Sequence, residues 1–127
     1  MADQETVRRL AMALPQVVDI SKGGDHIAFE LADGGRLVWT FLRRVHPKKA
    51  RVPDPEVVAI HCQVERKEML VEAAPDRYFD DDHYRGFPAV MVRLAAIDDD
   101  ELAAMLQAAW RLSAEAPKKK PRPKRRP

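Results

Sequence analysis

The chain has a single cysteine, Cys62, so it forms no internal disulfide. That fits a reducing compartment, and a cytoplasmic location is expected. No apolar run approaches the ~20 residues that cross a bilayer, so no membrane span is expected. The opening residues, Met-Ala-Asp-Gln-Glu-Thr, have no basic segment followed by an apolar one, so no secretory signal is expected there. Catalytic signatures are missing as well: there is no glycine-rich phosphate loop, nucleophile elbow or His-Glu-x-x-His motif. His61 and Cys62 are strand neighbours whose side chains leave on opposite faces, so they do not make a nucleophile–base pair. His26, His46 and His61 have no visible partner in the sequence. A non-enzymatic protein without a cofactor is therefore expected.

What is present is the composition of one globular domain. The 127 residues are 46% hydrophobic and 33% charged, a length that suits a single core. The net charge of +2 hides a division. Residues 117–127 hold Lys118, Lys119, Lys120, Arg122, Lys124, Arg125 and Arg126 and no acid, which leaves fifteen bases against twenty acids in the remainder. The chain is an acidic body, residues 1–116, followed by a basic tail with four prolines in eleven residues that is expected to be disordered.

Along the body, Val7, Leu10, Ala11 and Leu14 fall at helix spacing, with Asp3 as N-cap and Pro15 as the stop. Short strands follow at 17–20 and 26–31, the second with Ile27, Phe29 and Leu31 on one face. Ala32-Asp33-Gly34-Gly35 supplies a hairpin turn. Residues 36–41 return with Leu37, Trp39 and Phe41 expected to share a face. Pro47, Pro53 and Pro55 argue against a regular element over residues 42–56, which read as a strand end and then an exposed basic loop. A strand over 57–64 places Val58, Ile60, Cys62 and Val64 inward. A short helix over 65–74 has Met69, Leu70 and Ala73 as its apolar stripe. Residues 75–88 form a loop dense in aromatics and charge. A strand over 89–94 turns Val90, Val92 and Leu94 inward. The last helix starts at Asp98, with Glu101 at capping-box spacing and Ile97 and Leu102 at the two staple positions. Its inward stripe is Leu102, Met105, Leu106, Ala109, Trp110 and Ser113, and Pro117 ends it. Hairpin-linked strands with flanking helices predict an α+β fold, an antiparallel sheet with helices packed on one face.

Four stretches together resemble the MmcQ/YjbR family of small bacterial proteins, which is often labelled DNA-binding. They are the helix Val7-Arg8-Arg9-Leu10-Ala11-Met12-Ala13-Leu14-Pro15, and the loop Tyr78-Phe79 followed by His83-Tyr84-Arg85-Gly86. The strand Pro88-Ala89-Val90-Met91-Val92-Arg93-Leu94 is the third. The fourth is the ending, Glu101-Leu102, then Ala108-Ala109-Trp110-Arg111-Leu112-Ser113-Ala114 and Ala116-Pro117-Lys118-Lys119. The resemblance spans most of residues 5–119. It implies a CyaY-like fold and DNA binding, and it brings no catalytic residues. The chain departs from the pattern in its long, proline-rich segment around residues 43–56 and in the acidic run Asp80-Asp81-Asp82. The tail past Lys119 inherits nothing from the family.

The candidate nucleic-acid contacts are the bases of two segments and one side chain between them. Arg43, Arg44, Lys48, Lys49 and Arg51 sit in a loop that a β-ribbon would carry, as wing-like elements do. Lys118, Lys119, Lys120, Arg122, Lys124, Arg125 and Arg126 lie in the tail, where runs of Lys and Arg meet DNA or RNA phosphates through counterion release. Arg85 either joins them or pairs with the aspartates beside it. Each segment also reads as a solvated surface. Tyr78, Phe79, Tyr84 and Phe87 are expected to anchor their loop to the core rather than to stack bases. Adjacent carboxylates point in different directions, so Asp80, Asp81, Asp82 and His83 are assigned no metal. The function expected is weak, largely sequence-independent nucleic-acid binding by a monomer. The alternative is an interaction module for a protein or small ligand, with an incidental tail, which a concave apolar pocket beside His83 and Tyr84 would favour.

Overall fold

Two long antiparallel strands, β3 (Arg36–Arg43) and β4 (Val52–His61), form the spine of the computed structural model, which describes residues 2–115. Around them the chain runs α1 (Gln4–Met12), β1 (Val17–Asp19), β2 (Ala28–Leu31), then β3 and β4, α2 (Val64–Ala73), β5 (Tyr78–Phe79), β6 (Ala89–Arg93) and α3 (Asp99–Glu115). The six strands make one antiparallel sheet in the order β1-β2-β3-β4-β6-β5. The expected α+β architecture is therefore present. The expected basic tail, and the boundary that separates it from the body, lie outside the described residues.

One face of the sheet carries the main core. Phe29, Leu31, Val38, Val58, Ile60, Val90 and Val92 project from the strands and meet Val7 and Ala11 of α1 and Leu102, Met105, Leu106 and Ala109 of α3, while Leu70 and Val71 of α2 pack at its margin. The helix starts follow from their caps. Asp3 Oδ1 accepts from the Thr6 amide at 3.0 Å, and Asp98 Oδ1 accepts from the Glu101 amide at 2.8 Å. Ile97 and Leu102 are both fully buried, as a hydrophobic staple requires. Glu101 does not close the capping box. Its carboxylate accepts from the Tyr78 hydroxyl at 2.5 Å and from Arg77 Nε at 3.1 Å, which ties α3 to β5. Burial and this hydrogen bond hold the Tyr78 phenol well above its ordinary pKa.

The turn between β2 and β3 is the expected hairpin, with Gly34 at φ +97°, where a side chain would be strained. Just past it the strands slip: Glu30 pairs with Arg36 but Phe29 pairs with Val38, so Leu37 is a bulge. The extra residue overturns the expectation that Leu37, Trp39 and Phe41 share a face. Leu37 turns to the helices with Val38, while Trp39 and Phe41 occupy the opposite side.

The proline-rich segment is also more ordered than expected. Leu42 pairs with Pro53 and Arg43 with Val52, so β3 and β4 continue as a two-stranded ribbon, and Pro53 and Pro55 lie within β4. Proline is tolerated because β6 pairs only with Val57–His61, which leaves the first half of β4 with a free edge that needs no amide donor. Three smaller expectations change. Val64 opens α2 instead of ending β4, Met69 is exposed while Lys67 is buried in its place, and Tyr78–Phe79 form a strand inside the expected loop.

The Thr40 hydroxyl, fully buried, accepts from the Ile27 amide at 2.8 Å and can return its proton to the Ile27 carbonyl at 3.1 Å. Thr40→Val leaves that amide unpaired and is expected to cost about 1–3 kcal/mol in urea unfolding, with Thr40→Ser costing less. A loss with Thr40→Ser that equals or exceeds the loss with Thr40→Val would contradict the hydroxyl's assigned role, since only the valine variant removes it.

Candidate functional site

Helices cover only one side of the sheet, so the middle of the other side needs another cover. β4 and β6 are apolar on both faces: Val57, Ala59, Ala89 and Met91 are buried there, together with Phe41. The loop over residues 80–88 closes this face, and it does so with aromatic rings. Phe41 meets Phe79 at 5.9 Å and Tyr84 at 6.1 Å between centroids; Tyr84 meets Phe87 at 5.6 Å; Phe87 meets Trp39 at 6.3 Å. These are edge-on or tilted contacts, the arrangement that ring quadrupoles favour. Trp39 Nε1 donates to the Tyr84 hydroxyl at 3.0 Å. The expectation that Tyr84 and Phe87 anchor the loop agrees with these contacts.

The loop is held from beneath by Lys67, whose side chain is only 2% exposed. Its ammonium donates to Asp80 Oδ1 at 3.0 Å and to the Tyr84 carbonyl at 2.9 Å. The spacing of Val64, Lys67, Leu70, Val71 and Ala74 places Lys67 on the buried stripe of α2. That periodicity was a usable signal, masked by the lysine's charge. The other acids of the loop have partners too. Asp81 accepts from the His83 amide at 2.9 Å and faces Arg51 at 4.0 Å, and Asp82 pairs with Arg85. Arg85 thus takes the second of its two expected roles in this structure. Among the described residues no group of three His, Cys, Asp or Glu is arranged to hold a metal ion.

Two hollows open on this face. The first, about 240 Å³, lies between Arg36, Trp39, His83, Tyr84 and Phe87; it stands beside His83 and Tyr84, as the interaction-module alternative expects, but its lining is as polar as it is apolar. The second, about 220 Å³, shares Arg36 and Trp39 and adds Ile20, Lys22, His26, Ala28, Phe29 and Glu30. The Arg36 guanidinium stands 5.5 Å from the Trp39 ring and 5.4 Å from that of Phe87, and Arg93 stands 4.2 Å from Phe79. Arg36 was not foreseen as a site residue; the bulge at Leu37 that brings it over these rings has no local signature.

The expected ribbon residues divide by partner. Arg51 donates to the Leu42 carbonyl at 2.7 Å and is largely covered, so it serves as a brace between ribbon and loop. Arg43 faces Asp54 at 3.7 Å and Arg44 donates to the Pro47 carbonyl at 3.0 Å. Lys48 and Lys49 are exposed and make no ion pair among the described residues. The seven tail bases, from Lys118 to Arg126, lie outside the described residues.

A third hollow, about 200 Å³, lies on the helix side between His61, Cys62, Gln63, Arg66, Met105, Ala108 and Leu112. Burial pushes the Cys62 thiol up to about 11, which keeps it an unreactive core thiol. Ser113 gives its proton to the Arg36 carbonyl at 2.6 Å, so its oxygen accepts from His61 Nδ1 at 2.8 Å. Burial above all holds the His61 pKa below 6.5.

The YjbR family model matches residues 12–112. The chain belongs to the YjbR family. Uncharacterised proteins of Mycobacterium tuberculosis and Mycobacterium bovis are 35% identical to it over 63 residues. The match takes in 49% of this chain and 49% of each relative, so it spans about half the length of these curated relatives. The crystal structure of a Deinococcus radiodurans protein with a DUF419 domain superposes with a TM-score of 0.69 at 17% identity, over 91% of this chain and 81% of that one. At that identity the likeness speaks for the YjbR fold alone. No helix among the described residues is long and apolar enough to cross a membrane.

Lys67→Met removes the loop's anchor and lets Asp80, a third exposed, return to water. Asp80→Ala instead strands a buried ammonium. Losses of about 1–2 and 2–4 kcal/mol respectively are expected in urea unfolding, and the reverse order would contradict the pair's assigned roles. The neutral His61 gives a second test. Its contribution to stability is complete above about pH 6.5 and falls away as acidification passes its lower native pKa, because the unfolded chain takes up the proton first. His61→Gln should flatten the fall in unfolding midpoint on acidification below that pH, and an unchanged slope would remove His61 from the account.

Proposed function

We propose that the protein binds nucleic acid without catalysis, through weak phosphate contacts that are largely independent of sequence. The carrying observation is the ribbon. β3 and β4 extend past the rest of the sheet, and the turn between them presents Lys48 and Lys49 to solvent with Arg44 beside them. Exposed, unpaired ammonium groups on a protruding ribbon suit a phosphate backbone, and each contact releases a counterion. In this reading the tail bases Lys118, Lys119, Lys120, Arg122, Lys124, Arg125 and Arg126 add phosphate contacts, and Arg43 adds one by leaving Asp54. Arg51 and Arg85 contribute less, since the fold already spends them.

A module for a small ligand or a protein is the second reading, and the hollow beside His83 and Tyr84 supports it. Two of its five lining side chains carry cationic or protonatable nitrogen, so its preferred ligand would be an anion with a flat ring. That chemistry overlaps with the first reading.

Fluorescence anisotropy against labelled duplex DNA across a salt series tests the proposal. Each phosphate contact contributes about 0.9 to the log–log salt slope. Lys48→Ala with Lys49→Ala is expected to make the slope shallower by roughly 1.8, and removal of the seven tail bases by up to roughly 6. Absence of binding at low salt, or a slope that neither change moves, would sink it.

A further inference from the structure

We propose that the hollow between Arg36, Trp39, His83, Tyr84 and Phe87 receives an unpaired nucleobase, so that the protein prefers single-stranded nucleic acid to duplex. The inference rests on the nucleic-acid reading above and names the form that the site takes.

Size comes first. At about 240 Å³ the hollow falls below the roughly 300–1,000 Å³ of pockets that enclose drug-sized ligands. It has room for a ring. A base within a duplex is stacked and paired, and cannot turn into such a notch without being flipped out. A base in a single strand has no such cost.

The walls match the ring. Trp39, Tyr84 and Phe87 are half-buried, so each is fixed by packing on one side and open on the other. Every base has a π face, and bases stack on aromatic rings and on guanidinium planes alike. Arg36 provides the plane. It lies against Trp39 and Phe87, is exposed, and makes no side-chain hydrogen bond or ion pair among the described residues, so its donors are unspent. The Tyr84 oxygen accepts from Trp39 Nε1, which leaves the phenol's own proton to give to a ring nitrogen or a base carbonyl.

The surroundings match the strand. Each carboxylate of the acidic run in the loop faces a base: Asp80 meets Lys67 of α2, Asp81 meets Arg51 of the ribbon and Asp82 meets Arg85 of the loop itself. On the far side of Arg36 the second hollow adds Lys22 and His26 against one acid, Glu30. In the other direction β3 runs seven residues from Arg36 to Arg43, about 23 Å, into the ribbon with Lys48 and Lys49. A strand with one base in the notch thus has cationic groups for its phosphates on both sides.

The test measures binding of the full chain to labelled oligothymidylate, oligouridylate and a duplex of equal length at one salt concentration. Single strands are expected to bind about tenfold tighter or more, the first two probes covering the DNA and RNA forms of a single strand. Arg36→Gln and Tyr84→Phe are each expected to narrow that gap several-fold. In a Trp110→Phe chain, Trp39 is the sole tryptophan, and its emission should be quenched by the single strand. Photocrosslinking of an iodouracil-bearing strand to the unaltered chain reads the same contact without any substitution, and the adduct should map to Trp39, His83, Tyr84 or Phe87. Equal affinity for single strand and duplex, with adducts confined to the ribbon or tail, overturns this inference and leaves the ribbon reading standing. Absence of binding to any of the three probes at low salt overturns both.

Discussion

The Lys67 ammonium, buried between Asp80 and the Tyr84 carbonyl, is the constraint on which the exposed side of the protein depends. A sheet backed by helices on only one face leaves the apolar middle of its other face bare. Here a nine-residue loop covers it, with too little regular structure of its own to hold a position. The ion pair and the carbonyl contact tie that loop to α2, and the rings of Tyr84 and Phe87 then close over Phe41 and Trp39. A buried charge is expensive unless its donors are satisfied, and Lys67 is satisfied by two partners from the same loop.

The same arrangement decides which charges remain available. Three consecutive aspartates would repel a phosphate if they stood free. Each has a basic partner, so the loop is far closer to neutral than its sequence suggests. Arg51 and Arg85 are consumed in that neutralisation, and Lys48, Lys49 and Arg36 are left with their donors toward solvent. On the loop-covered side, charge that can meet a partner is thus present on the ribbon and over the aromatic notch.

The periodic parts were legible in advance. The stripes of α1 and α3, their caps at Asp3 and Asp98, the staple of Ile97 and Leu102, and the hairpin at Gly34 all obey local rules that a sequence displays. Three features were not legible for one shared reason: each depends on what lies beside the residue rather than before or after it. The prolines of β4 are acceptable because the neighbouring strand is absent there. Leu37 changes face because β2 is one residue shorter across the bulge. Lys67 is inside because Asp80 and Tyr84 come to meet it.

The sequence by itself determined the class of fold, the family and the division between an acidic body and a basic tail, since periodicity, motif order and net charge are properties of the chain alone. Tertiary structure decided which face carries the candidate site. Only the pairing of β3 with β2 and β4 sets Arg36 above Trp39, and only the docking of the loop brings Tyr84 and Phe87 to them across some fifty residues of chain, because the energy that selects those contacts comes from rings and charges that meet only once the sheet has formed.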